Sequence, residues 1–178
     1  MAGLKDVKLR QVFYSVQKKI EFVRLGMALE VIMKMKCTWN QKMNFSAEAD
    51  GYRVTMDAKS PVGDSSAMSP KQLVLAGVCG CTAMDVAALL KKYKQPLENF
   101  VVEAEASLTE GVHPAVFKEI KLLFKLTGPI EAAKILEAVQ LSQSKYCGVS
   151  AMIAKTAAIL YDVELNGKTI GTGRAAFG

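Results

Sequence analysis

The run Ser69-Pro70-Lys71-Gln72-Leu73-Val74-Leu75-Ala76-Gly77-Val78-Cys79-Gly80-Cys81-Thr82-Ala83-Met84-Asp85-Val86-Ala87-Ala88-Leu89-Leu90 decides the fold. Ser69 supplies an N-cap, and Pro70 is a first helical residue whose missing N–H would have had no partner anyway. A helix therefore starts here and runs to about Tyr93. Leu73 to Leu90 is almost wholly apolar or small and is long enough to pass for a membrane span. Asp85 near its centre would be costly in lipid, and many of its other residues are only weakly hydrophobic Gly, Ala, Cys and Thr. The run reads as the buried central helix of a folded domain, with no transmembrane segment.

Strands flank this helix on both sides. Val31 to Trp39, Asn44 to Ala49 and Tyr52 to Ala58 form an antiparallel meander; Asp50-Gly51 supplies the positive φ angles of a tight hairpin between the last two. Residues 60–69 are a loop. Downstream, Phe100 to Thr109 and Phe117 to Thr127 alternate as a second antiparallel pair, and Gly128-Pro129 ends it. Ile130 to about Leu141 is helical, a shorter helix starts near Cys147, and Ile159 to Leu165 turns through Asn166-Gly167 into Lys168 to Ile170. The order is βββ-α-ββ-α-α-ββ. With no alternating βαβ units and no repeat, the fold class is α+β.

The chain has 178 residues, 51% of them apolar and 22% charged, which excludes a disordered or low-complexity protein. A chain of this length buries about 70% of its unfolded surface and needs no disulfide framework or structural metal. The net charge of +6 sits at one end: residues 1–36 hold eight Lys and Arg against three acids, and the remainder is 15 against 14. Within that segment Leu9, Val12, Phe13, Val16, Ile20, Val23 and Met27 recur at helical spacing opposite a basic face. Residues 1–30 are therefore expected to be an amphipathic helical extension docked on the body or on a second subunit, and residues 31–178 the main domain. A basic membrane or phosphate-binding role for the extension is the lesser reading, since the body is electrically balanced and no nucleic-acid partner is expected. The extension lacks the apolar region of a signal peptide, so a reducing cytoplasm is the default.

Cys37, Cys79, Cys81 and Cys147 are unevenly spaced and accompanied by one His, which disfavours both a disulfide scaffold and a zinc site. Cys79 and Cys81 lie about 200° apart around a helix, so only one of them can serve a given site. Cys147 falls where one helix ends and the next begins, a position that favours the thiolate, with Lys145 as a nearby cation. His113 precedes Pro114 in a turn and reads as a surface residue, while Trp39 is expected in a core or interface.

Ser69-Pro70-Lys71-Gln72-Leu73-Val74-Leu75 followed by Gly80-Cys81-Thr82-Ala83-Met84-Asp85-Val86, and later Leu141-Ser142 with Lys145-Tyr146-Cys147, resembles the OsmC/Ohr family of thiol peroxidases. The likeness spans about Val31 to Ile170 and includes the eleven-residue step from the proline to the helical cysteine. It implies an OsmC-like fold of antiparallel sheets around a central cysteine-bearing helix, in an intertwined homodimer. By the same resemblance Cys81 matches the peroxidatic thiol and Cys147 the resolving one, acting without a cofactor or metal. An organic hydroperoxide is then the substrate and a dithiol, of lipoyl type, the reductant. Family peroxidases commonly carry Glu after the helix-start proline, paired with an Arg from an early strand. Here Lys71 stands at the Glu position and Lys42 falls near the Arg slot; Asp85, one turn beyond Cys81, completes the supporting set by capping a neighbouring helix or pairing with Lys145. Apolar residues around Leu75, Met84 and Val86 would suit a fatty hydroperoxide tail. The alternative is a non-catalytic dimeric binding protein of the same fold, holding a small apolar ligand at the dimer interface.

Overall fold

A computed structural model describes residues 32–178; Val31 and the proposed amphipathic extension at 1–30 lie outside the described residues. In chain order the elements are β1 (Lys36–Gln41), β2 (Asn44–Ala49), β3 (Tyr52–Met56), α1 (Pro70–Lys92), β4 (Asn99–Leu108), β5 (Phe117–Thr127), α2 (Ala132–Leu141), a π-helical turn (Ser142–Tyr146), α3 (Gly148–Ile153), β6 (Ala158–Leu165) and β7 (Lys168–Arg174). Strands β1 to β3 make a three-stranded sheet in sequence order, and β4 to β7 a four-stranded one in sequence order. Positive φ at Asp50, Gly51, Asn166 and Gly167 gives both tight hairpins the backbone expected of them.

The first strand begins later than the sequence suggests, at Lys36, and Trp39 stands 62% exposed within one chain, which leaves the interface rather than the core for it. The larger sheet is not wholly antiparallel. β5 pairs with β6 in parallel, Ile120 opposite Ile159 and Phe124 opposite Val163, because the chain returns through α2, the π turn and α3 before entering β6. Gly128, at φ 137°, ends β5 where a side chain would strike the Pro96 carbonyl, and Asn166 brackets it with hydrogen bonds of 3.1 Å to its N–H and its carbonyl.

The described residues divide into two compact units, 32–39 with Ser46–Val54 and Asn40–Phe45 with Thr55–Gly178. In the first, Ala47 and Ser46 are buried. In the second, the period-2 alternation of β5 buries Ile120, Leu122, Phe124 and Leu126 and turns Lys121 outward. They pack with Val78, Val86 and Leu90 of α1, Ile135, Ala138 and Val139 of α2, and Ile159 and Val163 of β6. Phe124 stacks on Phe100 and meets Tyr161 edge-on, with centroids 6.4 and 6.1 Å away.

The expected Ser69 N-cap opens α1, and the structure extends it to a capping box: Gln72 N–H donates to Ser69 Oγ, and Ser69 N–H donates to Gln72 Oε1 at 2.8 Å. Along α1 the buried residues are Val78, Thr82, Val86 and Leu90, a single i, i+4 stripe. The helix is apolar nearly all round and long enough to cross a membrane, yet only 22% of its most apolar stretch is buried. It is the core helix on one side and uncovered on the other, so the expected burial holds for one face alone.

The loop before α1 is organised by Asp57, whose buried carboxylate accepts from Ala58 N–H, Asp64 N–H, Ser66 N–H and, at 2.7 Å, Ser66 Oγ. These donors, Ser66 foremost, hold its pKa below the usual carboxylate value. A depressed pKa stabilises the fold above the unfolded value of about 3.9, and that contribution is lost as pH falls through the folded value. Asp57→Asn should therefore melt below the wild type at neutral pH, with the gap closing below about pH 4 in circular-dichroism melts; a gap independent of pH would contradict this assignment.

Candidate functional site

Three elements meet at the middle of α1. Cys81 and Asp85, four residues apart, share one face of that helix, and Thr82 beside them lies in its buried stripe. The π turn continuing α2 presents Ser142 and Gln143, both fully buried. Its last backbone bond, Cys147 N–H to Ser142 O at 3.0 Å, places Cys147 as the N-cap of α3. The two sulfurs of Cys81 and Cys147 and a carboxylate oxygen of Asp85 lie within 4.8 Å of one another. Uneven spacing in sequence argues against a metal centre, yet the fold gathers three potential ligands from two elements.

A chain of hydrogen bonds fixes these pieces. Ser142 Oγ donates to Asp85 Oδ2 at 3.0 Å, and because a hydroxyl has one proton, Thr82 Oγ is then the donor in its 2.8 Å contact with Ser142. Gln143 Nε2 donates to Thr82 at 2.7 Å, while its buried Oε1 has no partner among the described residues. Burial, the larger influence, pushes the Asp85 carboxyl above its usual range, and the Ser142 hydrogen bond opposes it.

Cys147 is completely buried and receives Ser150 N–H at 3.3 Å. Burial raises its pKa more than the Ser150 donors lower it, and the neighbouring Cys81 raises it further. Desolvation thus outweighs the donors of the helix start at this thiol. Lys145, expected as the assisting cation, lies instead with its ammonium 5.5 Å from the centre of the Tyr146 ring. Asp85, expected to cap a neighbouring helix or pair with Lys145, instead accepts from the side-chain hydroxyl of Ser142.

The remaining candidates are placed elsewhere. Lys42 pairs with Asp64 at 2.9 Å on the loop before α1. Lys71 is exposed in the first turn of α1, ten residues before Cys81 and so about 15 Å along the axis. Neither joins the thiols within one chain. Cys79 packs against the core, where burial raises its pKa, and Cys37 is exposed on β1. Val86 is fully buried in the core and cannot line a ligand pocket, whereas Met84 is 74% exposed one turn from Cys81.

A family model described as OsmC-like protein matches residues 63–161. Protein YhfA of Escherichia coli (strain K12) is 36% identical over 138 residues, covering 75% of this chain and 98% of that protein. The chain belongs to the OsmC-like family. Its fold matches that of an OsmC like protein from Mycoplasma pneumoniae with a TM-score of 0.69 at 15% identity, covering 77% of this chain and 99% of that one. It also matches an organic hydroperoxide resistance protein OsmC from Legionella pneumophila, with a TM-score of 0.56 at 23% identity and coverage of 78% and 97%.

Within this OsmC-like domain, Thr82, Ser142, Gln143 and Ser150 are the site residues that sequence reasoning passes over. One signal was available. Thr82 is the polar member of the i, i+4 series Val78, Thr82, Val86, Leu90, and a polar residue in a buried helical stripe must find a partner.

Proposed function

We propose that this OsmC-like protein is a thiol-dependent peroxidase that reduces organic hydroperoxides, with Cys81 attacking and Cys147 resolving. The observation that carries the reading is the approach of the two sulfurs to within 4.8 Å across two separate elements. A disulfide requires a sulfur–sulfur bond of about 2.05 Å, so side-chain rotation and a small backbone adjustment complete it.

The thiolate of Cys81, half-exposed on α1, attacks the terminal peroxide oxygen. The oxygen–oxygen bond breaks, the alkoxide takes a proton and leaves as alcohol, and Cys81 becomes a sulfenic acid. Cys147 then attacks the sulfenic sulfur, giving a disulfide and water. A dithiol of lipoyl type returns both cysteines to thiols and leaves as its own disulfide. The geometry suits this order, because Cys147 is completely buried whereas Cys81 is half-exposed, so peroxide meets Cys81 first. Structural neighbours named as organic hydroperoxide resistance proteins support an organic substrate.

The protein acts as a homodimer. OsmC-family proteins are generally dimeric, and the uncovered face of α1, with Val74 43% and Met84 74% exposed, is the apolar surface a second copy would cover.

Steady-state consumption of cumene hydroperoxide with dihydrolipoamide as reductant tests the activity. Wild type should turn over, Cys81→Ser should lose at least about a hundredfold, and Cys147→Ser should complete one reaction per chain and stall. An inactive wild type with both thiols reduced would overturn the reading in favour of a binding protein on this fold. For the assembly, sedimentation equilibrium should return twice the 19.3 kDa chain mass, and Met84→Glu should shift it towards monomer; a monomeric wild type would contradict the dimer.

A further inference from the structure

We propose that Cys81, Asp85 and Cys147 form a binding site for a divalent cation of the zinc class, which takes up the same thiols and holds them out of reaction. Cys81 and Asp85 project from one face of α1, Cys147 faces them from the N-cap of α3, and their donor atoms lie within 4.8 Å of one another. Zinc binds thiolate at about 2.3 Å and carboxylate at about 2.0–2.2 Å, so tetrahedral ligands stand about 3.5–3.8 Å apart. Closing the difference needs an adjustment of about one ångström.

The surroundings have what such a site requires. Ligands of bound metals are oriented by hydrogen bonds from outside; here Ser142 Oγ holds Asp85 Oδ2 and leaves the second carboxylate oxygen available, and Ser150 N–H supports the Cys147 sulfur. Thr82 and Gln143 hold Ser142 in turn. Two sulfur donors select the zinc class over magnesium or calcium, which take oxygen. Three protein ligands leave a fourth position, and Cys81 and Asp85 are only half-buried, so water can fill it. Binding exchanges the two thiol protons for the cation, with no electron transferred. Only the consequence rests on the peroxidase reading: a sulfur committed to the metal is withdrawn from peroxide, and a chelator restores it.

The experiment uses the full chain carrying Cys37→Ser and Cys79→Ser, so that Cys81 and Cys147 are the only thiols. The reduced protein is titrated with cobalt(II), then with zinc(II). We expect one cobalt per chain with thiolate charge-transfer absorption and the visible bands of tetrahedral cobalt, displaced by zinc and absent from the disulfide form. Ser142→Ala should weaken binding about 10–100-fold. Asp85→Ala should lose the tetrahedral signature; Asp85→Asn, which keeps an acceptor for Ser142, should weaken binding as well and serves if the alanine variant misfolds. Absence of thiolate–cobalt absorption, or binding indifferent to both Asp85 changes, would overturn the site. Peroxide consumption is measured in parallel. A chain that reduces peroxide without binding cobalt refutes the metal site alone, and one that binds cobalt through Asp85 without consuming peroxide supports the site while refuting the peroxidase.

Discussion

Ser142 is the residue on which the rest of the site depends. Its hydroxyl accepts from Thr82 and donates to Asp85, tying two positions of α1 to the π turn, and its carbonyl accepts the Cys147 N–H. One residue thereby sets the face of α1 that carries Cys81 and also the start of α3 that carries Cys147. The network lies in the domain interior, where an unmet hydroxyl is costly, so the pieces cannot slide without losing several hydrogen bonds together. The irregularity of the chain here has a purpose in this geometry. A π turn after α2 provides the i−5 bond that an α-helix would not.

The electrostatics of the pair follow from burial more than from nearby cations. Cys147 and Asp85 are both displaced upward by desolvation, and the Ser150 and Ser142 donors offset this only in part. Lys42 and Lys71 do not change this within one chain. Lys42 is committed to Asp64, and Lys71 sits about 15 Å along the helix from Cys81. A hydroxyl and amide network, Gln143 to Thr82 to Ser142 to Asp85, occupies the centre of the site.

Much of the fold could be read from local chemistry. The Ser69 N-cap before Pro70, the Asp50-Gly51 and Asn166-Gly167 turns and the alternation of β5 are decided by neighbours in sequence, and each appears where those neighbours demand. The pairing of Cys81 with Cys147 came from a resemblance between motifs, and no spacing rule would have found it. The parallel β5–β6 pair and the exposed side of α1 were not legible, because each depends on how distant elements meet. The same holds for the metal-ligand geometry. Cys81 and Asp85 announce a common helical face, but the third donor arrives from sixty-six residues away through a turn whose π geometry no local pattern encodes.

The central claim is that Cys81 and Cys147 are one redox pair. Its most direct test is intact-mass and peptide mapping after one equivalent of cumene hydroperoxide is added to the reduced protein. The account predicts loss of two hydrogens with Cys81 linked to Cys147, and in Cys147→Ser a sulfenic acid at Cys81 that dimedone traps. Oxidation confined to the exposed Cys37, with Cys81 and Cys147 recovered as thiols, would contradict it.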